Sequence, residues 1–380
     1  MRKQKTREIE SIDELIEIVK IEKQLSHVAC QDLDLYKVNG ILQNVEFRKC
    51  MFLGCNISAE MQMKLLKNDN LIFPKLDVPY NPYRARLYSI SSLYEDYNPD
   101  KPESYELTPD YKIYKYYRDR GKHFPDSIYE TLAQKLHDHS ITDAMMDILE
   151  GFDNRKIVAI MGGHGLSRDS SDFKKVCEIS KELVEKDFFM LSGGGPGAME
   201  ATHLGAWMAG RSEEELEQAL IILSEAPHYS HQLWLSKAFE VINRFPKLKD
   251  DITDIGIPTW LYGHEQATPF ASLIAKYFEN SIREEGLLGL ALGGIIYSPG
   301  SAGTIQEIFQ DATQNHYKSY DMASPMIFLN KEYWTEVKPV YPLLFKLAEG
   351  KEYQKYLRIS NSISEIVEDL LKFRLSGENH

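Results

Sequence analysis

Cysteine is scarce in this chain: Cys30, Cys50, Cys55 and Cys177 are the only four in 380 residues, and no Cys-x-x-Cys pair occurs. That argues against a disulfide framework and leads to the expectation of free thiols in a reducing compartment. Positive charge is the minority sign, with 44 Lys and Arg against 57 Asp and Glu and a formal charge of −13. A broad surface for a nucleic-acid polymer is therefore not expected, although a pocket for a small anion is compatible because its field is local. Long apolar runs are missing as well. The longest weakly polar stretch, Gly286 to Tyr297, is too short and too rich in glycine to span a bilayer. The opening MRKQKTREIESIDELIEIVK is basic but leads into no continuous apolar segment, so no secretory signal is expected. These absences describe a soluble, cytoplasmic protein without a membrane partner.

What is present is the composition of a folded protein, 43% apolar, 27% charged and 11% aromatic. The length suggests two domains or three, with enough chain to bury a large core. The texture changes near residue 150, which gives an N-terminal accessory domain over 1–150 and a second domain over 151–380. The first opens with an expected helix from Ser11 to Leu25. In the segment that follows, Val38, Leu42, Phe47 and Phe52 recur about every five positions. Two readings fit: one or two coils resembling pentapeptide repeats, or an irregular β segment packed on its neighbours. Between Tyr80 and Tyr117 lie ten of the 22 tyrosines, interleaved with Pro82, Pro99, Pro102 and Pro109. This predicts an ordered, aromatic-rich wrapping loop, in which Arg84 or Arg86 either meets an anion or packs at the surface. Ile128 to Leu149 has helical spacing. His137 and His139 lie two apart on it and point in different directions, which makes them surface groups rather than metal ligands.

From Arg155 the rhythm becomes strand, glycine loop, helix. KIVAIMGG, FFMLSGGG, ALIILSEAP, IGIPTWLYG, GGIIYSPG and PMIFLN are predicted as buried strands, and YPLLFKLAEG and SISEIVEDLLKF as closing helices. Alternating buried runs and helices specify an α/β fold, a doubly wound parallel sheet of Rossmann type. Ligands of such sheets bind beyond the carboxyl ends of the strands. Three glycine loops share that edge: Gly162-Gly163-His164-Gly165; Gly193-Gly194-Gly195-Pro196-Gly197-Ala198-Met199; and Pro299-Gly300-Ser301-Ala302-Gly303-Thr304. Glycines let a phosphate approach backbone amides, and a helix N-terminus adds free N–H donors and about half a positive charge.

The dinucleotide fingerprint is not met, since no acid ends the second strand, and no G-x-x-x-x-G-K-[ST] sequence occurs. Neither hydride transfer nor a phosphate-loop NTPase is therefore expected. Glu307 lies three residues beyond Thr304, one turn into the last loop's helix. A carboxylate there stands near the ribose of a bound nucleotide, where it can serve N-glycosidic cleavage, or it merely complements the helix dipole.

Gly193-Gly194-Gly195 with Gly197 and Met199, followed about a hundred residues later by Pro299, Gly300, Gly303, Thr304 and Glu307, resembles the Lonely Guy family. That family was formerly labelled lysine decarboxylase-like. The likeness covers roughly residues 155 to 370, and the larger bacterial nucleotide nucleosidases are the nearer analogy. It implies a phosphoribohydrolase that converts a nucleoside 5′-monophosphate and water to free base and ribose 5-phosphate. It implies no metal or cofactor, and at least a homodimer. Gly300, Ser301, Ala302, Gly303 and Thr304 would hold the phosphate, and Glu307 would serve ribose and water. Gly162, Gly163, His164, Gly193, Gly194, Gly195, Gly197, Met199 and His264 would flank the nucleotide. Ser301 departs from the family's glycine. The family's Arg-Lys pair is also missing after His264, where Gln266 and Ala267 stand. Arg283, on a helix expected within PFASLIAKYFENSIREEG, is the replacement cation, with Lys276 second and a solvated helix end the plainer reading of Arg283. His228 and His231 contact the base or are loop histidines. A non-catalytic nucleotide sensor is the competing function.

Overall fold

A computed structural model describes residues 6–122, 124–125, 127–263 and 266–377. The chain divides into two compact units, Met1–Leu87 with Arg120–Ile148, and Tyr88–Asp119 with Leu149–His380. The return at Leu149 lies where the texture of the sequence changes. The segment Tyr88–Asp119, however, belongs with the second unit, which a single cut near residue 150 does not express. Its attachments are long-range and so invisible to local pattern. Tyr88 exchanges backbone hydrogen bonds with Ile274, the Tyr94 hydroxyl donates to Ala267 O, and the Tyr117 hydroxyl donates to Phe278 O at 3.2 Å. Part of this segment is also helical, Pro109–Asp119, where only a loop was expected. Pro109 opens that helix, the place where a missing N–H costs nothing.

The first unit stacks four short parallel strands, Arg7–Ile9, Val28–Gln31, Met51–Leu53 and Leu71–Phe73. Ile9 pairs with Cys30, Cys30 with Phe52, and Phe52 with Ile72, so each coil advances 20 to 22 residues. Val38, Leu42, Phe47 and Phe52 all enter one core, which explains their recurrence. Short helices between the strands make the coils irregular. The opening helix runs Ile12–Ile21, capped by the Ser11 side chain. His137 and Asp138 are not surface groups: both are fully buried on the helix Ile128–Leu149, bonded to each other at 3.0 Å. Burial lowers the His137 pKa.

The second unit is built on seven parallel strands: β1 Ile157–Met161, β2 Phe189–Ser192, β3 Asp254–Gly256, β4 Leu273–Ile274, β5 Gly294–Tyr297, β6 Met326–Leu329 and β7 Leu357–Ser360. Their order is β4-β3-β2-β1-β5-β6-β7. β1, β2, β5 and β6 are buried along their whole length, as parallel strands covered on both faces must be. The covering helices are α1 Ser171–Glu185, α2 Ala198–Trp207, α3 Glu213–Ser224, α4 Trp234–Arg244, α5 Asn280–Leu290, α6 Ala302–Tyr317, α7 Val340–Leu347 and α8 Ile363–Leu375. The expected doubly wound Rossmann-type sheet is thus observed.

Three expected elements differ. IGIPTWLYG is a strand only at Ile255 and Gly256, the end of β3, and beyond them it runs on as loop with a single bridge at Thr259, Pro258 having no N–H for the ladder. ALIILSEAP lies on α3 and its C-terminal loop, not on a strand. A Ser212–Glu215 capping box starts that helix upstream, and Leu216, Ala219, Leu220 and Leu223 are buried while Ile221 is exposed, a helical period. PFASLIAKYFENSIREEG is helical only from Asn280. Its first half carries β4 and is buried almost without interruption from Ala267 to Phe278, which is the signature of extended backbone in a core. Among the described residues no helix is long and apolar enough to cross a membrane. All four cysteines are buried and unpaired.

Candidate functional site

Strand order reverses between β1 and β5, since β2 and β3 lie on one side of β1 and β5 to β7 on the other. A crevice opens at such a point beyond the carboxyl ends of the strands. The three glycine loops meet there as one layer. Gly163 N–H donates to Pro299 O at 3.0 Å, and Ala198 N–H donates to Gly163 O at 3.2 Å. Gly197 makes the second contact possible. Its φ is +71°, and a Cβ there would stand 2.3 Å from Gly163 O. The third loop is pinned from behind: Trp334 Nε1 donates to Tyr297 O at 3.1 Å, Lys338 Nζ to Gly300 O at 3.2 Å, and the Tyr333 hydroxyl to that same oxygen.

α6 starts at this crevice. The side chains of Ser170, Ser212 and Ser362 cap α1, α3 and α8, but Ser301 makes no such bond to the first amides of α6. Ser301, Ala302 and Gly303 are exposed, and a cavity of about 410 Å³ lies against them. Gly162, Gly163, His164, Met199, Tyr262, Arg283, Glu284, Thr304 and Glu307 complete its wall. First-turn amides that Ser301 leaves uncapped at one end and charged side chains at the other make it suited to a polar, anionic ligand. A larger groove of about 960 Å³ runs over the solvent faces of α1 and α3. Lysines and glutamates of mixed sign line it, and Lys174 there already pairs with Glu217 at 2.5 Å. It is a solvated face.

The charged group of the cavity is Glu307, Arg283 and Glu284, with side chains 12%, 9% and 13% exposed. Arg283 Nη1 stands 3.8 Å from Glu307 Oε1 and 3.7 Å from Glu284 Oε1, while its Nε donates to Ile257 O at 3.1 Å. The guanidinium lies across Gly193: a Cβ on Gly193 would come within 2.8 Å of Nη2 and 2.5 Å of Met199 Sδ. Burial pushes the Glu307 pKa from its ordinary 4.5 to about 7, against the pull of Arg283 and with a push from Glu284. One turn on, burial also raises Asp311 to about 7, opposed by the hydrogen bond from the Tyr297 hydroxyl at 2.7 Å. Asp311 does not line the cavity.

Ten of the expected site residues therefore line one cavity: Gly162, Gly163, His164, Met199, Arg283, Ser301, Ala302, Gly303, Thr304 and Glu307. Gly193, Gly194, Gly195, Gly197 and Gly300 shape the loops behind it. His264 lies outside the described residues. Arg283 is 8% exposed and so is not a solvated helix end. Lys276 takes no place in the cavity. It is buried, with Nζ 2.6 Å from Asp110 Oδ1, an oxygen that also accepts from Trp260 Nε1 at 3.0 Å. His228 and His231 follow a helix, are exposed, and do not line the cavity.

Tyr262 and Glu284 are the cavity residues that sequence reasoning missed. Glu284 was visible only as a neighbour of Arg283. A buried Ser192–His203–Asp254 chain, with links of 2.7 Å each, has the outline of a hydrolase triad, but all three residues are fully buried. Ser192 Oγ accepts Gly194 N–H at 3.1 Å, so the chain braces the second glycine loop.

No protein-family model matches the chain, and no curated protein matches it either. Solved structures do. The molybdenum cofactor binding protein from the phototrophic bacterium Rippkaea orientalis is 16% identical over 57% of this chain and 94% of its own, with a TM-score of 0.37. The Moco carrier protein from Chlamydomonas reinhardtii is 15% identical over 57% and 97%, with a TM-score of 0.34. A structural-genomics target, TM1055, is 16% identical over 57% and 99%, with a TM-score of 0.36. At this distance these likenesses carry no argument about ligand or chemistry, and the Rossmann-type architecture of the second unit rests on its own strand order.

Proposed function

We propose that this protein hydrolyses the N-glycosidic bond of nucleoside 5′-monophosphates, releasing free base and ribose 5-phosphate. The observation that carries the reading is the placing of Glu307 one turn inside α6, facing the same cavity as that helix's uncapped first amides. A phosphate held by the amides of Ser301 to Thr304 puts the ribose beside that carboxyl group. The C1′–N bond breaks with its electron pair passing to the base nitrogen, which takes up a proton. A water oxygen bonds to C1′ and gives up a proton. Glu307 as carboxylate stabilises the sugar cation and orients the water, and Arg283 stabilises charge on the phosphate or the departing base. In keeping with the resemblance of its glycine motifs to the Lonely Guy family, the protein works as a homodimer or larger homo-oligomer, without metal or redox cofactor.

A panel of purine and pyrimidine monophosphates, assayed for free base and ribose 5-phosphate, tests the reading. Turnover of at least one member is expected. Calorimetric binding of a monophosphate with no turnover of any would instead identify a nucleotide sensor.

A further inference from the structure

Arg283 has two carboxylate neighbours, and the two are held differently. Glu284 accepts Asn280 Nδ2 at 2.6 Å on one oxygen and Gln306 Nε2 at 2.9 Å on the other. Asn280 is on α5 and Gln306 on α6, so both helices fix this side chain. Glu307 has no such amide among the described residues. Its charged neighbour of opposite sign is Arg283, at 3.8 Å, beyond hydrogen-bond reach. One guanidinium Nη1 is thereby shared almost equally between a fixed acid and a less constrained one.

We propose that Glu284 is a positioning residue which, from its place between Asn280 and Gln306, keeps Arg283 shared and so leaves Glu307 able to take up and release a proton instead of being locked as the arginine's partner. This rests on the hydrolase reading for its purpose, though not for its physics. The charged groups acting on Glu307 among the described residues are Arg283 and Glu284 from α5; His164 from the first glycine loop and Tyr262 from the segment after β3 share its cavity wall, and the buried Tyr297 of β5 feels the charge of Glu307 from behind. Arg283 opposes protonation of Glu307, whereas Glu284 favours it. Replacing Glu284 by glutamine acts twice in one direction: it removes a nearby negative charge, and it frees Arg283 to close on Glu307.

The test is a pH titration of the full chain labelled with carboxyl-¹³C glutamate, with Glu307→Gln used to assign the resonance. It reports on Glu307 whether or not any nucleotide is cleaved. Glu284→Gln should move the Glu307 midpoint down by about one pH unit or more, and Glu284→Ala should move it the same way. In turnover assays the acid limb of kcat/KM should move with it, while the limb from the substrate's own phosphate, near pH 6, stays in place. An unchanged Glu307 midpoint in the folded variants overturns the proposal. A Glu307 midpoint that shifts in the Glu284 variants as described, in a protein whose wild type cleaves no monophosphate, removes the hydrolase reading and leaves the coupling between the two acids standing.

Discussion

The chemistry assigned to Glu307 depends on its protonation state. With a pKa of about 7 it is protonated in acid and becomes a carboxylate only as the pH passes neutrality. A residue that must be anionic to steady a sugar cation and orient water then predicts a kcat/KM that falls about tenfold per unit below that point. A pH–rate profile checks this, and a rate that stays flat from pH 5 to 8 would rule the carboxylate out. The local pattern made this residue legible: a buried strand, a glycine loop and a helix put an acid at a fixed distance from the first amides. Glu284 was not legible in the same way. Its role depends on which side of α5 faces Gln306, and nothing in the spacing of the sequence fixes that.

The three loops form a layer in which Gly197 and Gly193 are needed for different reasons, and a Cβ on Gly197 would collide with Gly163 O. Gly193 is where Arg283 crosses. The atoms an added Cβ would meet there are the far ends of flexible side chains, Met199 Sδ and Arg283 Nη2. Gly193→Ala should therefore displace the guanidinium and leave the fold in place. A loss of roughly tenfold or more in kcat/KM is expected, with little change in thermal midpoint. Wild-type kinetics in this variant would mean that the position of Arg283 does not matter. The glycine loops themselves were readable because a buried strand precedes each. α3 is not legible in the apolar run ALIILSEAP itself, because the Ser212–Glu215 capping box that starts the helix lies upstream of that run. The start of α5 is hidden because the nearly continuous burial from Ala267 to Phe278 has no period to mark it.

The two units show what a linear reading can and cannot give. The Rossmann-type sheet was legible from alternation alone, and the coil-like recurrence in the first unit was visible in Val38, Leu42, Phe47 and Phe52. The membership of Tyr88–Asp119 was not. It depends on contacts such as Asp110 with Lys276, which are 166 residues apart. Acid–base balance makes a prediction for the chain as a whole. Burial raises Glu307 and Asp311 to about 7, and burial together with Asp143 and Asp147 raises Glu8 to about 7 as well. Folded-state pKa values above the unfolded ones, 4.5 for Glu and 3.8 for Asp, mean stability that is fully present below those unfolded values and lost as pH rises through 7. His137, lowered by burial, acts in the opposite sense, contributing stability above about pH 6.5. Three groups against one predict a lower thermal midpoint at pH 8 than at pH 6, measurable by calorimetry. A midpoint that rises over that interval would contradict it.

The central claim is that Glu307 carries out chemistry on a nucleotide held at the start of α6. The most direct test compares wild type and Glu307→Gln on the best monophosphate, measuring ribose 5-phosphate release and calorimetric affinity in parallel. The account predicts a kcat lower by about 10² to 10⁴ with affinity retained. Equal turnover by the two proteins, or none by the wild type, would contradict it.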